Sequence, residues 1–132
     1  MALHLEFQDN VAVLRHDDGK RNVFSPDSIR DFNEALDEVE AKKAALMWMG
    51  REDCFSAGFD LKVVKSGDAD AAAAMVQAGG ELAFRIFTFP HPVVCAVTGH
   101  CLALGSVMLV CADKRIGMVS PRHSGNHFSH NL

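Results

Sequence analysis

Two segments rich in small residues, about forty residues apart, constrain the fold of this chain more than any other feature. Residues 54–61 (CFSAGFDL) and 97–106 (VTGHCLALGS) each place glycine where an apolar run gives way to a helical pattern. Glycine lets the backbone approach a ligand closely, and the first N–H groups of a helix point outward without intrahelical partners. The two segments therefore predict strand-to-helix turns whose N–H groups together can cradle an oxyanion.

Length and composition exclude several classes of function. A chain of 132 residues is long enough for one domain with a real core, and its net charge of −4 gives no broad basic field for nucleic acid. No apolar run approaches about 18 residues, and the amino terminus lacks the pattern of a signal peptide. We therefore expect no membrane span. The four cysteines have no C-x-x-C spacing, so we expect reduced thiols in a cytoplasmic protein.

Strand and helix patterns alternate along the chain in the order β-β-α-β-α-β-α-β, which predicts an α/β fold with crossover connections. The expected elements are a hairpin within 3–14, a helix from a Ser25 N-cap to about Ala41, a buried strand at 44–50, an alanine-rich helix at 68–89, a strand at 93–97, a helix at 104–112 and a strand at 114–119. Gly79 and Gly80 each cost about 1 kcal/mol inside a helix, so a kink or break is expected there.

The last residues of the chain break this alternation. Residues 118–132 have little periodicity, which predicts a disordered tail beyond a domain at 1–117. Their histidines, His123, His127 and His130, have a spacing that can chelate a metal ion, but incidental tail histidines are the preferred interpretation and no metal site is predicted.

The chain resembles the crotonase superfamily, which includes the enoyl-CoA hydratases and isomerases. The resemblance rests on Lys20-Arg21-Asn22 before the Ser25 helix, on 55–61, and on 90–113 with its CAD sequence followed by Arg115-Ile116, all in the family's order. It covers residues 3–117. It implies an incomplete crotonase-like spiral of β-β-α units, a coenzyme A thioester as substrate, no separate cofactor, a place in fatty acid metabolism as an isomerase or lyase, and a homo-oligomer, by family a trimer.

The resemblance also implies site residues. In that family two backbone N–H groups bind the thioester oxygen, and residue-by-residue transfer places them at Ala57 and Leu104. Preorganised donors of this kind are worth about 3 to 4 kcal/mol each where negative charge develops. Leu104 stands where a glycine is frequent, but a main-chain contact survives that change. The implied acyl-CoA-binding set is Lys20, Arg21, Ala57, Gly58, Phe59, Asp60, Leu61 and Leu104, with the two basic residues and Lys62 as candidates for the nucleotide phosphates.

The chain departs from the family at both catalytic acids. Val107 stands where hydratases carry a glutamate, and no aspartate or glutamate follows Asp113 in the sequence. The usual two-glutamate hydration is therefore disfavoured. We expect a C-terminally truncated product, and three interpretations stay open: an enoyl-CoA isomerase or hydratase whose acid comes from sequence not present here, a non-catalytic acyl-CoA-binding or interaction module, and an unstable, aggregation-prone fragment.

Several chemically suggestive residues have ordinary structural interpretations, which we favour. These are an N-cap or a loop salt bridge for Asp60, a structural hydrogen bond for His100, helix capping for Ser106, and packing for Cys54 and Cys101. For Lys20 and Arg21 a solvated loop and a phosphate contact both stay open.

Overall fold

The computed structural model describes residues 2–97 and 99–117. The strands are β1 (Leu3–Gln8), β2 (Val11–His16), β3 (Val23–Phe24), β4 (Ala45–Met49), β5 (Cys54–Ser56), β6 (Gly58–Phe59), β7 (Val93–Val97), β8 (His100–Cys101) and β9 (Lys114–Gly117). The helices are α1 (Pro26–Ala41), α2 (Leu61–Val64), α3 (Ala69–Phe87) and α4 (Leu104–Cys111). None of these helices is long and apolar enough to cross a membrane.

A five-stranded sheet with the order β1-β2-β4-β7-β9 organises the fold. β1 and β2 form the predicted antiparallel hairpin, whereas β2, β4, β7 and β9 pair in parallel. Parallel neighbours need crossover connections, and the helices α1, α3 and α4 lie in those connections. The predicted α/β class is confirmed.

Helix α1 begins where the sequence predicts. The Ser25 Oγ accepts from the Ser28 N–H at 3.1 Å and the Ser28 Oγ accepts from the Ser25 N–H at 2.8 Å, which is a reciprocal capping box. The helix buries an apolar face that includes Phe32, whose ring lies 4.9 Å from that of Trp48 on β4. This aromatic contact fixes α1 on the sheet.

The alanine-rich helix differs from its prediction. α3 is a single helix that includes Gly79 and Gly80, so the expected break is absent. A Cβ atom placed on Gly79 would lie 2.5 Å from the Phe59 ring and 3.0 Å from Leu104 Cδ2. The close packing of these two side chains against Gly79 offsets the low helix propensity of glycine, which local sequence alone does not reveal.

The sequence does not predict the short strands β3, β5, β6 and β8 or the short helix α2, because two to four residues carry no readable periodicity. The predicted strand at 114–119 is present as β9, and its last two residues lie outside the described residues. The predicted tail at 118–132, with His123, His127 and His130, also lies outside them, so the boundary at residue 117 stays a prediction.

The apolar faces near the end of the described chain are only partly covered. On β7, Val93, Cys95 and Val97 are buried. On α4 the side chains of Val107 and Val110 are 48% and 74% exposed. The predicted tendency to associate therefore rests on the helix and stays a prediction.

His16 is a buried histidine without a hydrogen-bond partner for its ring. It is fully buried at the end of β2, with ring centroids 5.7 Å from Phe24 and 5.1 Å from Phe32. Neither ring nitrogen has a partner among the described residues. Burial lowers the pKa of His16 from 6.5 to about 4, although the carboxylates of Asp17 and Asp18 oppose this shift. The folded chain therefore holds the neutral imidazole.

We predict that Gly79→Ala and Gly80→Ala change stability in opposite directions. A Cβ on Gly80 meets nothing within 4 Å, so alanine there raises the free energy of unfolding by about 1 kcal/mol. At Gly79 the added methyl group displaces the Phe59 ring. We expect this substitution to lower the free energy of unfolding by about 1 to 2 kcal/mol, with the gain in helix propensity already included. Urea denaturation of both variants measures the difference. An equal gain in the free energy of unfolding at both positions would contradict the close packing of Phe59 against Gly79.

A second prediction concerns acid stability. The folded pKa of His16, about 4, lies below the unfolded value of 6.5, so its contribution to stability is complete above pH 6.5 and is lost as the pH falls towards 4. The total loss is up to about 3 kcal/mol. We expect His16→Leu to flatten the pH dependence of denaturation over this range, and His4→Leu, at an exposed position of β1, to leave it unchanged. If the free energy of unfolding depends on pH equally in the wild type and in His16→Leu, the lowered pKa of His16 is contradicted.

Candidate functional site

The two segments that the sequence singles out lie side by side. β5 pairs in parallel with β8, so that Cys54 faces His100 and Ser56 faces Cys101. Just beyond β8 the Leu102 N–H donates to the Ser56 carbonyl at 2.9 Å. The turn after β5 and the turn before α4 are therefore one structural unit, and the prediction that they act together has a geometric basis.

Glycine is required where these two turns touch. Gly58 has a φ of 96°, and a Cβ atom there would lie 2.8 Å from Ala103 Cβ and 3.3 Å from the Leu104 nitrogen. A Cβ atom on Gly105 would lie 2.8 Å from Ser56 Cβ. Because any larger residue separates the turns, these two glycines set the distance between the backbone of Gly58 and the start of α4.

Leu104 supplies one unpaired donor at this contact. It is the first residue of α4, whose N–H groups have no intrahelical acceptor at that end. Among the described residues no acceptor is found for the Leu104 N–H, whereas those of Gly105 and Ser106 bond to Leu102 and Ala103. The helix dipole adds a positive potential at this N–H, which favours a partly negative oxygen.

The donor expected on the first turn needs correction. The Ala57 N–H donates to the Arg21 carbonyl at 2.9 Å, so it is not available to a ligand in this structure. The bond ties the turn to the loop before β3, which local sequence does not reveal. The role of Ala57 is thus to anchor the turn.

The hydrogen bonds around Ala57 leave the Phe59 N–H as the candidate donor of the first turn. The Gly58 N–H donates to Ser56 Oγ at 3.0 Å, and the Asp60 N–H donates to the Phe24 carbonyl at 3.0 Å. Phe59 pairs with Phe24 in the parallel β3–β6 ladder, and successive N–H groups of an extended strand point to opposite sides. The Phe59 N–H therefore points away from β3. Sequence reasoning missed this role because it depends on the hydrogen-bond direction.

Phe59 and Leu104 converge on the same part of α3. The side chains of both residues lie against Gly79, as the 2.5 Å and 3.0 Å contacts of its hypothetical Cβ show. Leu104 is buried and Phe59 is half-buried. The two residues that carry the unpaired N–H groups are thus held together by packing as well as by the turns.

Ala103, which precedes α4, adopts a strained backbone. Its φ of 50° and ψ of −123° lie in a region that residues with a side chain rarely adopt. Such conformations cost about 1 to 3 kcal/mol and persist only where the surrounding structure imposes them, frequently at binding sites. The strain is further support for a ligand site at the start of α4.

The polar candidates around the turns have mostly structural roles. Asp60 caps α2, with its Oδ1 accepting from the Lys62 N–H at 3.0 Å, which confirms the N-cap interpretation. Ser106 does not cap α4, because its Oγ instead donates to the Cys101 carbonyl at 2.9 Å. The side chains of Lys20 and Arg21 are exposed, and their contact with phosphate stays a prediction.

The cysteines at the site are packing residues. Cys54 and Cys101 are buried, and burial raises the pKa of both thiols, that of Cys101 to about 11. A neutral thiol is a poor nucleophile, so the packing interpretation is confirmed. His100 is exposed, and its backbone N–H donates to the Asp53 carbonyl. No cluster of metal ligands occurs within 2–97 and 99–117.

The family resemblance predicts that Val107 stands in the place of a catalytic acid. It is three residues after Leu104 on α4, so the two lie on neighbouring turns of one helix face. Its side chain is 48% exposed and carries no proton to exchange. The donor pair thus has an apolar neighbour at this position.

Comparisons with known proteins identify the family of this chain. Residues 6–129 match the family model described as enoyl-CoA hydratase/isomerase, a range that runs past the boundary predicted at 117. A putative enoyl-CoA hydratase of Thermus thermophilus is 32% identical over 116 residues, which cover 78% of this chain and 43% of that protein. A fatty acid oxidation complex subunit alpha of Shewanella halifaxensis is 26% identical, over 86% of this chain and 17% of that protein.

Solved structures show the same likeness. The crystal structure of a probable enoyl-CoA hydratase of Mycobacterium tuberculosis superposes with a TM-score of 0.85 at 39% identity, and covers 87% of this chain and 49% of that one. An enoyl-CoA hydratase/isomerase family protein of Pseudomonas syringae gives a TM-score of 0.87 at 39% identity, with 91% and 52% covered. The chain spans about half the length of these two solved relatives. It belongs to the enoyl-CoA hydratase/isomerase family.

Proposed function

We propose that this chain binds the acyl thioester of coenzyme A and holds the thioester oxygen between the N–H groups of Phe59 and Leu104. The observation that carries the proposal is the contact between the two turns, in which Gly58 lies against the Leu104 nitrogen. Both donors are unpaired at this contact, and both are fixed by backbone that the fold determines. Family membership supports an acyl-CoA as the ligand.

The chemistry that such a pair supports is enolate or oxyanion stabilisation. Negative charge develops on the thioester oxygen when a proton leaves the adjacent carbon or when a nucleophile adds to the conjugated double bond. Fixed donors stabilise that charge without reorganising, and their effect is larger away from water. The buried Leu104 side chain and the half-buried Phe59 ring supply part of that apolar surround.

The proton transfers of an isomerase or hydratase require a group that the described site does not hold. The family resemblance places Val107 in the position of one acid, and no aspartate or glutamate follows Asp113 in the sequence. An enoyl-CoA isomerase or hydratase activity would therefore need an acid other than residue 107. A non-catalytic acyl-CoA-binding module is the second candidate, and the valine at position 107 favours it.

The proposal extends to contacts with the nucleotide part of coenzyme A and to association of this chain with itself or a related subunit. Lys20 and Arg21 are exposed cations on the loop that is bonded to the first turn, which suits contacts with the nucleotide phosphates. The exposed side chains of Val107 and Val110 on α4 support self-association or association with a related subunit.

Calorimetric titration with an enoyl-CoA and with free coenzyme A, together with an assay of turnover, tests the proposal. We expect the enoyl-CoA to bind more tightly than coenzyme A, because only the thioester offers a carbonyl oxygen to the two donors. Turnover by the chain would support the enzyme, and binding without turnover would support the module. Equal affinity for the two ligands, or no binding by a folded chain, would refute the proposed site.

Two glycine variants provide a matched control. Gly58→Ala and Gly67→Ala both place a side chain at a positive φ, 96° and 85°, and so carry similar backbone strain. Only at Gly58 does the added Cβ collide with the second turn, since nothing lies within 4 Å of it at Gly67. We expect Gly58→Ala to lose the preference for the thioester and Gly67→Ala to keep it. Loss of the preference in both variants would indicate general instability.

A further inference from the structure

We infer that Asn22 is a positioning residue for the thioester site, and that it holds the first turn in register with the second. The inference rests on the proposed function. It assigns to this buried asparagine a role at a site that its side chain does not touch.

The Asn22 side chain bonds three segments together. Its Nδ2 donates to the carbonyls of His16 at 2.7 Å, Cys54 at 3.1 Å and Phe55 at 3.2 Å, and its Oδ1 accepts from the Asp18 N–H at 2.9 Å. The residue is fully buried. One amide therefore joins the end of β2, the loop that follows it and the strand β5, from which the first turn begins.

The backbone of Asn22 continues this connection into the turn itself. Ser56 Oγ donates to the Asn22 carbonyl at 2.7 Å and accepts from the Gly58 N–H at 3.0 Å. Gly58 lies so close to the start of α4 that a Cβ atom on it would be 3.3 Å from the Leu104 nitrogen, and Phe59 follows it directly. A chain of three residues thus connects the loop to the predicted donor, and all of them are buried.

The backbone conformation explains why this position suits asparagine. Asn22 has a φ of 54°, in the left-handed region that asparagine tolerates better than most residues with a side chain. In this conformation the backbone carbonyl of Asn22 accepts from Ser56, and its side-chain amide donates to β5. Leucine or valine at this position would lose both the backbone geometry and the donors.

The test compares affinities for an acyl-CoA thioester and for its thioether analogue, which lacks the carbonyl oxygen. We expect the wild-type chain to prefer the thioester by about three- to tenfold, as for one ordinary hydrogen bond. Asn22→Gly keeps the left-handed backbone but removes the amide, and should reduce the preference to near one while the thioether affinity stays unchanged. A merely structural role lowers the active fraction for both ligands equally and leaves their ratio intact.

A second variant keeps the test valid if Asn22→Gly fails to fold. Ser56→Ala removes the hydroxyl between Asn22 and Gly58 without adding volume, and should also reduce the thioester preference. The control is Asn33→Ala on α1, since the Asn33 Oδ1 accepts from Arg85 Nη1 at 3.1 Å and the residue lies outside both turns; it should keep the wild-type ratio. A wild-type ratio in folded Asn22→Gly or in Ser56→Ala overturns the positioning role. A ratio of one in the wild-type chain overturns the proposed carbonyl site, and the positioning role falls with it.

Discussion

The contact between Gly58 and the start of α4 is the constraint on which the site depends. A side chain larger than hydrogen at Gly58 would meet Ala103 at 2.8 Å, so the two turns approach only because Gly58 is a glycine. That approach sets the separation between the N–H groups of Phe59 and Leu104. The parallel β5–β8 pairing and the bond from the Leu102 N–H to Ser56 stabilise the same arrangement.

The surrounding fold supports this contact from two sides. On one side α3 presents Gly79, against which the side chains of Phe59 and Leu104 pack. On the other side the Asn22 side chain donates to three carbonyls, and the Asn22 backbone carbonyl accepts from the Ser56 hydroxyl. Buried polar groups that are fully paired fix one geometry, whereas loosely packed apolar contacts permit several. Asn22 and Gly79 therefore define the position of the turn more closely than the short strands can.

Local patterns were sufficient to predict most of the regular structure. The Ser25 cap and the apolar spacing after it predict α1, and β-branched residues between prolines and glycine predict β7, because these signals lie within one segment. The continuity of α3 could not be predicted, because Gly79 is compensated by residues from two other segments. The family resemblance implies Ala57 as a donor, but the Arg21 carbonyl, which belongs to another segment, already accepts its N–H. Family resemblance identified the turn, and only the hydrogen-bond directions identified Phe59.

The central claim is that two backbone N–H groups polarise a thioester carbonyl. Carbon-13 NMR of an acyl-CoA labelled at the thioester carbonyl, bound to the wild-type chain, measures this polarisation directly. Hydrogen bonds to the oxygen withdraw electron density from the carbonyl carbon, so the account predicts a downfield shift on binding that Gly58→Ala abolishes and Gly67→Ala retains. A bound acyl-CoA whose carbonyl resonance stays at its position in water would contradict it.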